Sequence, residues 1–260
     1  MIVIGEAARV AGRRIDVPIQ NGARLAGKTD WIDTGRDETL SPNVFLVDLP
    51  PASVLDAHFH RENQFQVFVK GEGSIGPHRI APITAHYAGA YTGYGPLVAG
   101  TAGVSYFTIR PVYDTDAFYM PGARADMVRG PKRSLHSAPT PPLDAEALRA
   151  LSATEIVDLI PLQPDRIAAR LVRLPPRASH VDLDPAGSGG QFVVVAAGSL
   201  VHAERELSRL DIVFVSADEA PLRLEAKDEG AEVVVLQLPL KEQAYEGRGW
   251  SHTQKDGAGL

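Results

Sequence analysis

The stretch "HFHRENQFQVFVKGEGSIG", residues 58–76, contains two histidines one residue apart and then two glutamines at the same spacing. Residues i and i+2 point to nearly opposite sides of an α-helix but share one face of a β-strand. Polar residues alternate here with aromatic and β-branched ones, and the run at residues 70–73 is typical of a turn, so the pattern predicts a strand. One face of this β-structure is expected to carry His58, His60, Gln64 and Gln66.

Short apolar runs separated by Gly, Pro and Asp recur through the rest of the chain. Examples are "VFLVDLPP", "VSYFTIRP", "DIVFVS" and "EVVVLQLP". Such runs are typical of antiparallel strands in a sandwich or barrel. The one convincing helical pattern covers Leu143 to Ile160 and follows the proline-rich stretch "SAPTPP", which suits a linker. We therefore expect an all-β chain with a linker helix between two β-rich halves.

The two halves resemble each other at three places that occur in the same order. The matches are "LVDLPP" (46–51) with "LVRLPP" (171–176), "QFQVFVKG" (64–71) with "QFVVVAAG" (191–198), and "YFTIRP" (106–111) with "VVLQLP" (234–239). Their separations are 125, 127 and 128 residues. An ordered set with a slowly growing offset indicates a duplicated barrel with small loop insertions.

The spacing of these residues resembles the first motif of the cupin family. That motif has a His-x-His pair, three or four residues, Glu, six residues and Gly. Here His58 and His60 are followed by Gln64 and Gly71 at this spacing, although Gln replaces Glu and the opening Gly is missing. With the internal repeat, the chain resembles a bicupin over roughly 32–113 and 167–240. The resemblance implies two tandem jelly-roll barrels whose mouths hold the functional sites.

The second cupin motif is poorly matched. The stretch "HYAGAYTGYGPLVAG" offers Gly89 and Pro96, but Leu97 and Val98 occupy the region where the histidine should fall. His86 lies earlier, and its spacing does not decide whether it reaches the cavity. It is a further metal ligand, a polar strand residue or a substrate contact.

Two imidazoles on one strand face can bind a divalent ion at about 2.0–2.2 Å, and an amide oxygen can add a third bond. The sequence therefore predicts a divalent metal, with Fe favoured and Mn, Ni and Zn as alternatives. The candidate ligands are His58, His60, Gln64 and His86. The structural alternative is that these are half-buried strand residues that hydrogen-bond to their neighbours. Gln in place of Glu removes a negative charge and favours weak metal binding.

The resemblance leads to two functional hypotheses. The first is a metal-dependent cupin enzyme, dioxygenase-like, whose open metal positions bind a small organic substrate and O2. Substrate would be positioned by Gln66, Tyr87, Tyr91 and Tyr94, although tyrosines also pack barrel walls. The second is a non-catalytic, small-molecule-binding bicupin with a lost or weak metal site, which the departures from both motifs favour.

The second half has no histidine pair. "SHVDLDPAGSGG" replaces the metal motif, and His180 and His202 are interpreted as structural or surface residues. Gln191 nevertheless matches Gln64. A glutamine at this position without a metal indicates a role in the hydrogen bonding of the barrel itself.

The composition excludes several kinds of site and partner. The 260 residues are 44% hydrophobic and include no cysteine, so a sizeable core is expected and any metal site must use nitrogen and oxygen ligands. A net charge of -6 and scattered Lys and Arg residues argue against nucleic acid as a binding partner. No stretch has the pattern of a membrane span or signal peptide, so a cytoplasmic protein with a small-molecule partner is expected. Barrel edges often pair across a twofold axis, which favours a homodimer.

The expected domain boundaries follow from the repeat and the linker. Residues 1–120 should form the N-terminal barrel with the metal site, 121–160 a linker with a short helix, and 161–240 a degenerate C-terminal barrel. Residues 241–260 are interpreted as a polar tail, with Trp250 docked on a neighbouring surface.

Overall fold

The computed structural model describes residues 1–19, 24–115 and 117–248, so Trp250 lies outside the described residues. The first strands are β1 (Ile2–Gly5), β2 (Ile15–Ile19), β3 (Arg24–Asp33), β4 (Asn43–Leu49), β5 (Val54–Leu55), β6 (His58–Phe59), β7 (Gln64–Ile75), β8 (His78–Ile80), β9 (Thr84–Ala88), β10 (Leu97–Arg110), β11 (Phe118–Tyr119) and β12 (Ser134–His136). The later strands are β13 (Glu155–Ile160), β14 (Ala168–Leu174), β15 (Ser179–Val181), β16 (Gln191–His202), β17 (Arg205–Leu207), β18 (Ile212–Val215) and β19 (Arg223–Gln237). The α-helices are α1 (Ala7–Val10) and α2 (Ala145–Arg149), and 3-10 turns cover Gly122–Asp126 and Gln243–Tyr245.

The chain forms two compact units, each built from two separate segments. Residues 12–140 and the segment beginning at Lys241 form one unit, called here the N-terminal barrel. Residues 1–11 and 141–240 form the other, called here the C-terminal barrel. These segments differ from the boundaries expected from the sequence, because the first strand belongs to the C-terminal barrel and part of the expected tail belongs to the N-terminal one.

The N-terminal barrel is an antiparallel sheet in the order β12-β9-β7-β10-β4-β3-β2, with β5 paired to β10 and β8 paired to β7. The long strands β7 and β10 lie side by side, with Gln66 opposite Thr108 and Phe68 opposite Tyr106. Because side chains alternate along a strand, one face of this pair is apolar at Phe68 and Tyr106 and polar beyond them. The apolar part packs in the core with Phe45 and other buried residues.

The C-terminal barrel is an antiparallel sheet in the order β1-β18-β16-β19-β14-β13. Strands β15 and β17 pair with β19 and β16, respectively. Its core consists of aliphatic side chains, including Val172, Val193, Val213 and Val233. The all-β architecture expected from the sequence is confirmed.

Both barrels bend their longest strand pair at facing glycines. Gly71 and Gly103 have positive φ values of 75° and 76°, and Gly198 and Gly230 have values of 67° and 79°. A Cβ on Gly71 would lie 2.0 Å from the Gly103 oxygen, and one on Gly198 would lie 2.1 Å from the Gly230 oxygen. Gly71 and Gly198 end the matched stretches "QFQVFVKG" and "QFVVVAAG", so the sequence repeat corresponds to a structural one.

The expected linker helix over 143–160 is wrong beyond its first turns. Helix α2 begins after Asp144, whose side chain accepts from the backbone N–H groups of Glu146 and Ala147. Residues 155–160 instead form β13, which pairs with β14. The run "EIVDLI" alternates apolar and polar residues and contains β-branched side chains, so it gains more from cross-strand pairing than from a helix. Among the described residues, no helix has the length and apolar character needed to cross a membrane.

Candidate functional site

A small cavity lies among β4, β5, β6, β7 and β10 of the N-terminal barrel. It is lined by Phe45, Val47, Leu55, His58, His60, Gln66, Tyr94, Tyr106, Thr108 and Arg110. About 10 Å³ is open to the centre of a water-sized molecule, which is room for about one water. The lining includes apolar side chains, such as Phe45, Val47 and Leu55, and polar ones, such as His58, Gln66 and Arg110.

His58 is held by its neighbours in one protonation state. Its Nδ1 lies 2.7 Å from the backbone oxygen of Asp56, and its Nε2 lies 2.8 Å from the hydroxyl of Tyr94. A carbonyl oxygen only accepts, so Nδ1 carries the proton and Nε2 accepts from the Tyr94 hydroxyl. Burial lowers the pKa of His58 to about 4, and the Arg110 charge acts in the same direction. The imidazole is therefore neutral at pH 7.

Tyr94 and Gln64 continue this network. The Tyr94 hydroxyl donates to His58 and accepts from the Gln64 amide nitrogen at 2.6 Å. Burial raises the pKa of Tyr94, so the hydroxyl keeps its proton at neutral pH. The amide nitrogen of Gln64 is thus directed at Tyr94, and its oxygen accepts from Arg110 Nε at 3.1 Å.

Arg110 supplies the hydrogen-bond donors at the polar end of the cavity. Its Nη2 lies 3.0 Å from His60 Nδ1, and its Nη1 donates to the backbone oxygen of Asp114 at 3.0 Å. A guanidinium only donates, so the Nδ1 lone pair of His60 is engaged and the remaining ring proton lies on Nε2. The His58 and His60 rings meet edge to face, with centroids 5.1 Å apart. Both rings face the cavity, but each directs a lone pair at a protein donor.

His86 belongs to a second group of side chains. Its Nδ1 lies 2.8 Å from the Gln66 oxygen and its Nε2 lies 3.2 Å from the Ser134 hydroxyl. Its ring stacks on His136 with centroids 4.3 Å apart, and His136 stacks on His78 at 3.8 Å. Burial and the neighbouring imidazoles lower the pKa of His86 well below its usual value. Both of its nitrogens are therefore engaged away from His58 and His60.

At the same end of the barrel, other buried charges form ion pairs, whereas Arg110 forms none within the part of the chain that the structure describes. The Asp114 carboxylate accepts from the Arg61 side chain at 2.9 Å, and Lys241 donates to Glu62 at 2.5 Å. Burial raises the pKa of Glu62 to about 7 despite the nearby lysine. Arg110 is only 2% exposed. It forms no ion pair with any carboxylate of the described residues.

Two of the tyrosines expected at the cavity lie elsewhere. Tyr87 packs against Phe65, with centroids 5.2 Å apart, because it points to the face of β9 opposite His86. Tyr91 has a left-handed backbone with φ of 57°, and its hydroxyl donates to the Arg248 oxygen at 2.7 Å. Tyr94 and Gln66, by contrast, line the cavity as expected.

The donor set does not fit a divalent cation in this arrangement. The lone pairs of His58 and His60 accept from Tyr94 and Arg110, and the Gln64 oxygen also accepts from Arg110. The described residues contain no group of three or more His, Cys, Asp or Glu that could hold a metal ion. A guanidinium also carries a permanent positive charge next to the place where the cation would lie.

Arg110 is not among the residues predicted from the sequence, because the second cupin motif places a histidine near Pro96 and no arginine. The signal was present in "YFTIRP", where alternation places Tyr106, Thr108 and Arg110 on one face. The C-terminal barrel shows what the matched position does without Arg110. There Gln191 donates to Gln237 at 2.7 Å and to the Leu183 oxygen at 2.8 Å.

The comparison with known proteins rests on structure. No protein-family model matches the sequence, and no curated protein matches it. A putative dioxygenase from Nostoc punctiforme is similar with a TM-score of 0.62 and 12% identity, covering 94% of this chain and 85% of that one. A mutant of the salicylate 1,2-dioxygenase from Pseudoaminobacter salicylatoxidans has a TM-score of 0.53 and 10% identity, covering 91% and 84%.

The bacterial pirin YhhW of Escherichia coli, in complex with nickel(II), is similar with a TM-score of 0.50 and 13% identity, covering 92% of this chain and 99% of that one. Identities this low establish the fold and nothing finer. The chain therefore has the cupin fold twice, with one barrel in each of its two units.

Proposed function

We propose that the N-terminal barrel binds a small organic ligand at the cavity lined by His58, Tyr94 and Arg110, and that it does so without a metal ion. The observation that carries this proposal is the position of the Arg110 guanidinium. It donates to His60 Nδ1 at 3.0 Å and to the Gln64 oxygen at 3.1 Å, which are two of the groups a metal would need.

Electrostatics supports the same conclusion. A divalent ion would also be repelled by the guanidinium: at a separation of about 5 Å and an effective dielectric constant of about 20, the repulsion is on the order of several kcal/mol. Because arginine does not lose its proton in proteins, this charge cannot be removed by titration. Metal binding would require the Arg110 and Tyr94 side chains to withdraw from the cavity.

The C-terminal barrel serves as scaffold in this proposal. Its interior is filled by aliphatic side chains, and the buried Gln191 and Gln237 satisfy each other. The matched glutamine position is therefore compatible with a purely structural role.

Elemental analysis tests the absence of a metal. Wild-type protein and the His58→Ala/His60→Ala double variant would be expressed in media supplemented with iron, manganese, nickel or zinc. We expect the two proteins to retain the same trace amounts of each metal after purification. Stoichiometric metal in the wild type and its loss in the double variant would contradict the proposal.

A metal-dependent, dioxygenase-like enzyme is the second candidate. One observation favours it: the Nδ1 proton of His58 is held by the Asp56 carbonyl, which leaves Nε2 directed into the cavity, the arrangement that metal-bound histidines use. Dioxygenases are also among the proteins of similar fold. The metal content described above decides between the two candidates, because only this one predicts a retained ion.

A further inference from the structure

We propose that the Arg110 side chain binds the carboxylate group of a small organic acid. This inference rests on the proposed function, since it assigns a ligand class to the same cavity. Arg110 is the one permanently charged residue among the described residues that line the cavity. It is buried to 2% exposure and has no carboxylate partner within the described chain.

The nearby carboxylates form no ion pair with Arg110 within the described residues. Asp114 directs its carboxylate oxygens at Arg61, with contacts of 2.7 Å to the backbone nitrogen and 2.9 Å to Nη2, and offers only its backbone oxygen to Arg110. Glu62 pairs with Lys241 at 2.5 Å. A buried cation normally has a counter-ion, and this one has three neutral acceptors instead.

The hydrogen-bond capacity of Arg110 is also incompletely used. A guanidinium has five N–H groups, and single contacts to Gln64, Asp114 and His60 engage three of them within the described residues. The remaining N–H groups lie one on each terminal nitrogen, which is the pair that a carboxylate can accept from in a bidentate contact. A planar anion with two oxygens therefore matches the charge and the number of remaining donors.

The rest of the cavity limits the size and character of the acid. Phe45, Val47 and Leu55 supply apolar lining, and Thr108 also lines the cavity. The open space of about 10 Å³ is room for about one water, so a carboxylate group would fill it and the rest of the acid must be very short. These limits favour small monocarboxylates over long or highly charged acids.

The test compares acetate with its neutral analogue acetamide. Binding would be followed by nuclear magnetic resonance on metal-free wild-type protein and on the Arg110→Gln, Arg110→Lys and Arg79→Gln variants. Arg79 is an exposed residue of the same barrel, so its variant removes one positive charge without touching the cavity. We expect acetate to bind wild type and the Arg79 variant alike, and acetamide to bind neither.

Loss of the guanidinium should weaken acetate binding about tenfold or more in the Arg110→Gln variant, with a smaller loss in Arg110→Lys because the charge remains. A second readout uses wild type alone and does not depend on the variants folding. At pH 7, where acetate is ionised, saturating acetate should shift the 15N signal of His60, because His60 Nδ1 accepts from Arg110.

Three results would overturn the inference: no acetate binding to wild type, equal binding of acetamide, or undiminished binding to a folded Arg110→Gln variant. None of these results bears on metal content. A retained metal would instead contradict the proposed function, so the two failures are distinguishable.

Discussion

At the scale of single residues, burial and fixed hydrogen-bond partners set the chemistry of the cavity. His58 donates to a backbone carbonyl and accepts from Tyr94, and the second contact requires a neutral ring. Burial is the main cause of its low pKa. The folded protein therefore holds His58 as one neutral tautomer. A solvent-exposed histidine would be largely protonated at pH 6.

The protonation of His58 should make the protein less stable in mild acid. The unfolded chain binds a proton below about pH 6.5, whereas folded His58 resists it until about pH 4, so the free energy of unfolding falls as pH drops through this range. The full effect is about 3 kcal/mol. In urea titrations, His58→Gln should reduce the pH slope by about 1.4 kcal/mol per pH unit. Equal slopes in wild type and variant would contradict the assignment.

Glutamate at the two matched glutamine positions should have different effects. In Gln64→Glu the new carboxylate meets Arg110, whereas in Gln191→Glu it meets only the neutral Gln237 and the Leu183 oxygen. We expect Gln191→Glu to lower the free energy of unfolding at pH 7 by about 3 kcal/mol or more, and Gln64→Glu to cost clearly less. Urea unfolding measures both. A larger loss for Gln64→Glu would mean that Arg110 is already neutralised.

The side chains of the cavity were predictable only in part. Spacing of two along the chain was enough to place His58, His60 and Gln66 at one cavity. It could not reveal that Arg110, which lies fifty residues after His60 in sequence, would donate to that same histidine. Such a contact depends on the register of β7 and β10, which the alternation of residues within one strand does not specify.

At the scale of secondary-structure elements, close approach of two backbones explains the repeated glycines. Gly198 faces the Gly230 oxygen so closely that any side chain would displace one of the strands β16 or β19. Gly187 of the same barrel also has positive φ, 71°, but a Cβ there would meet no described atom within 4 Å beyond its chain neighbours. An added side chain would therefore meet only backbone strain at Gly187, but both backbone strain and a steric clash at Gly198.

Alanine substitutions at these two glycines should differ accordingly. Gly187→Ala carries only the cost of the left-handed backbone, about 1 kcal/mol, whereas Gly198→Ala adds a clash with the facing strand and should cost about 3 kcal/mol or more. The measurement is urea unfolding of both variants. Equal losses would show that strands β16 and β19 can separate without cost.

The helix predicted over residues 143–160 is much shorter in the structure. Residues 143–160 contain spacings compatible with a helix, and Asp144 does cap one. The helix ends at Arg149, and the following residues are drawn into the sheet by pairing between Glu155 and Arg173 and their neighbours. Tertiary pairing of this kind overrides a weak local preference.

At the scale of the whole molecule, the first strand completes the C-terminal barrel. Ile2 to Gly5 pair with Ile212 to Val215 on β18, and the Ala7 backbone nitrogen donates to Asp211 at 2.7 Å. The duplicated barrels were predictable from the ordered sequence matches. The pairing of the first strand with the C-terminal barrel was not predictable, because the sequence of a four-residue strand does not specify which sheet it joins.

Removal of residues 1–11 should destabilise the C-terminal barrel. It deletes the pairing with β18 and leaves the buried strand Ile212–Val215 with an open edge, at a cost of about 3 kcal/mol or more. Thermal unfolding of the truncated protein should begin at lower temperature. Addition of a peptide of residues 1–11 should restore part of the loss, and an unchanged melting profile would contradict the role of β1.

The most direct test of the metal-free cavity is the protonation of its two histidines. In protein labelled with 15N-histidine at pH 7, we expect His58 to carry its proton on Nδ1 and His60 on Nε2, and we expect neither signal to change when one equivalent of Zn²⁺ is added. Zinc-dependent shifts of both unprotonated nitrogens would show that the cation displaces Tyr94 and Arg110, and would contradict a cavity that works without a metal.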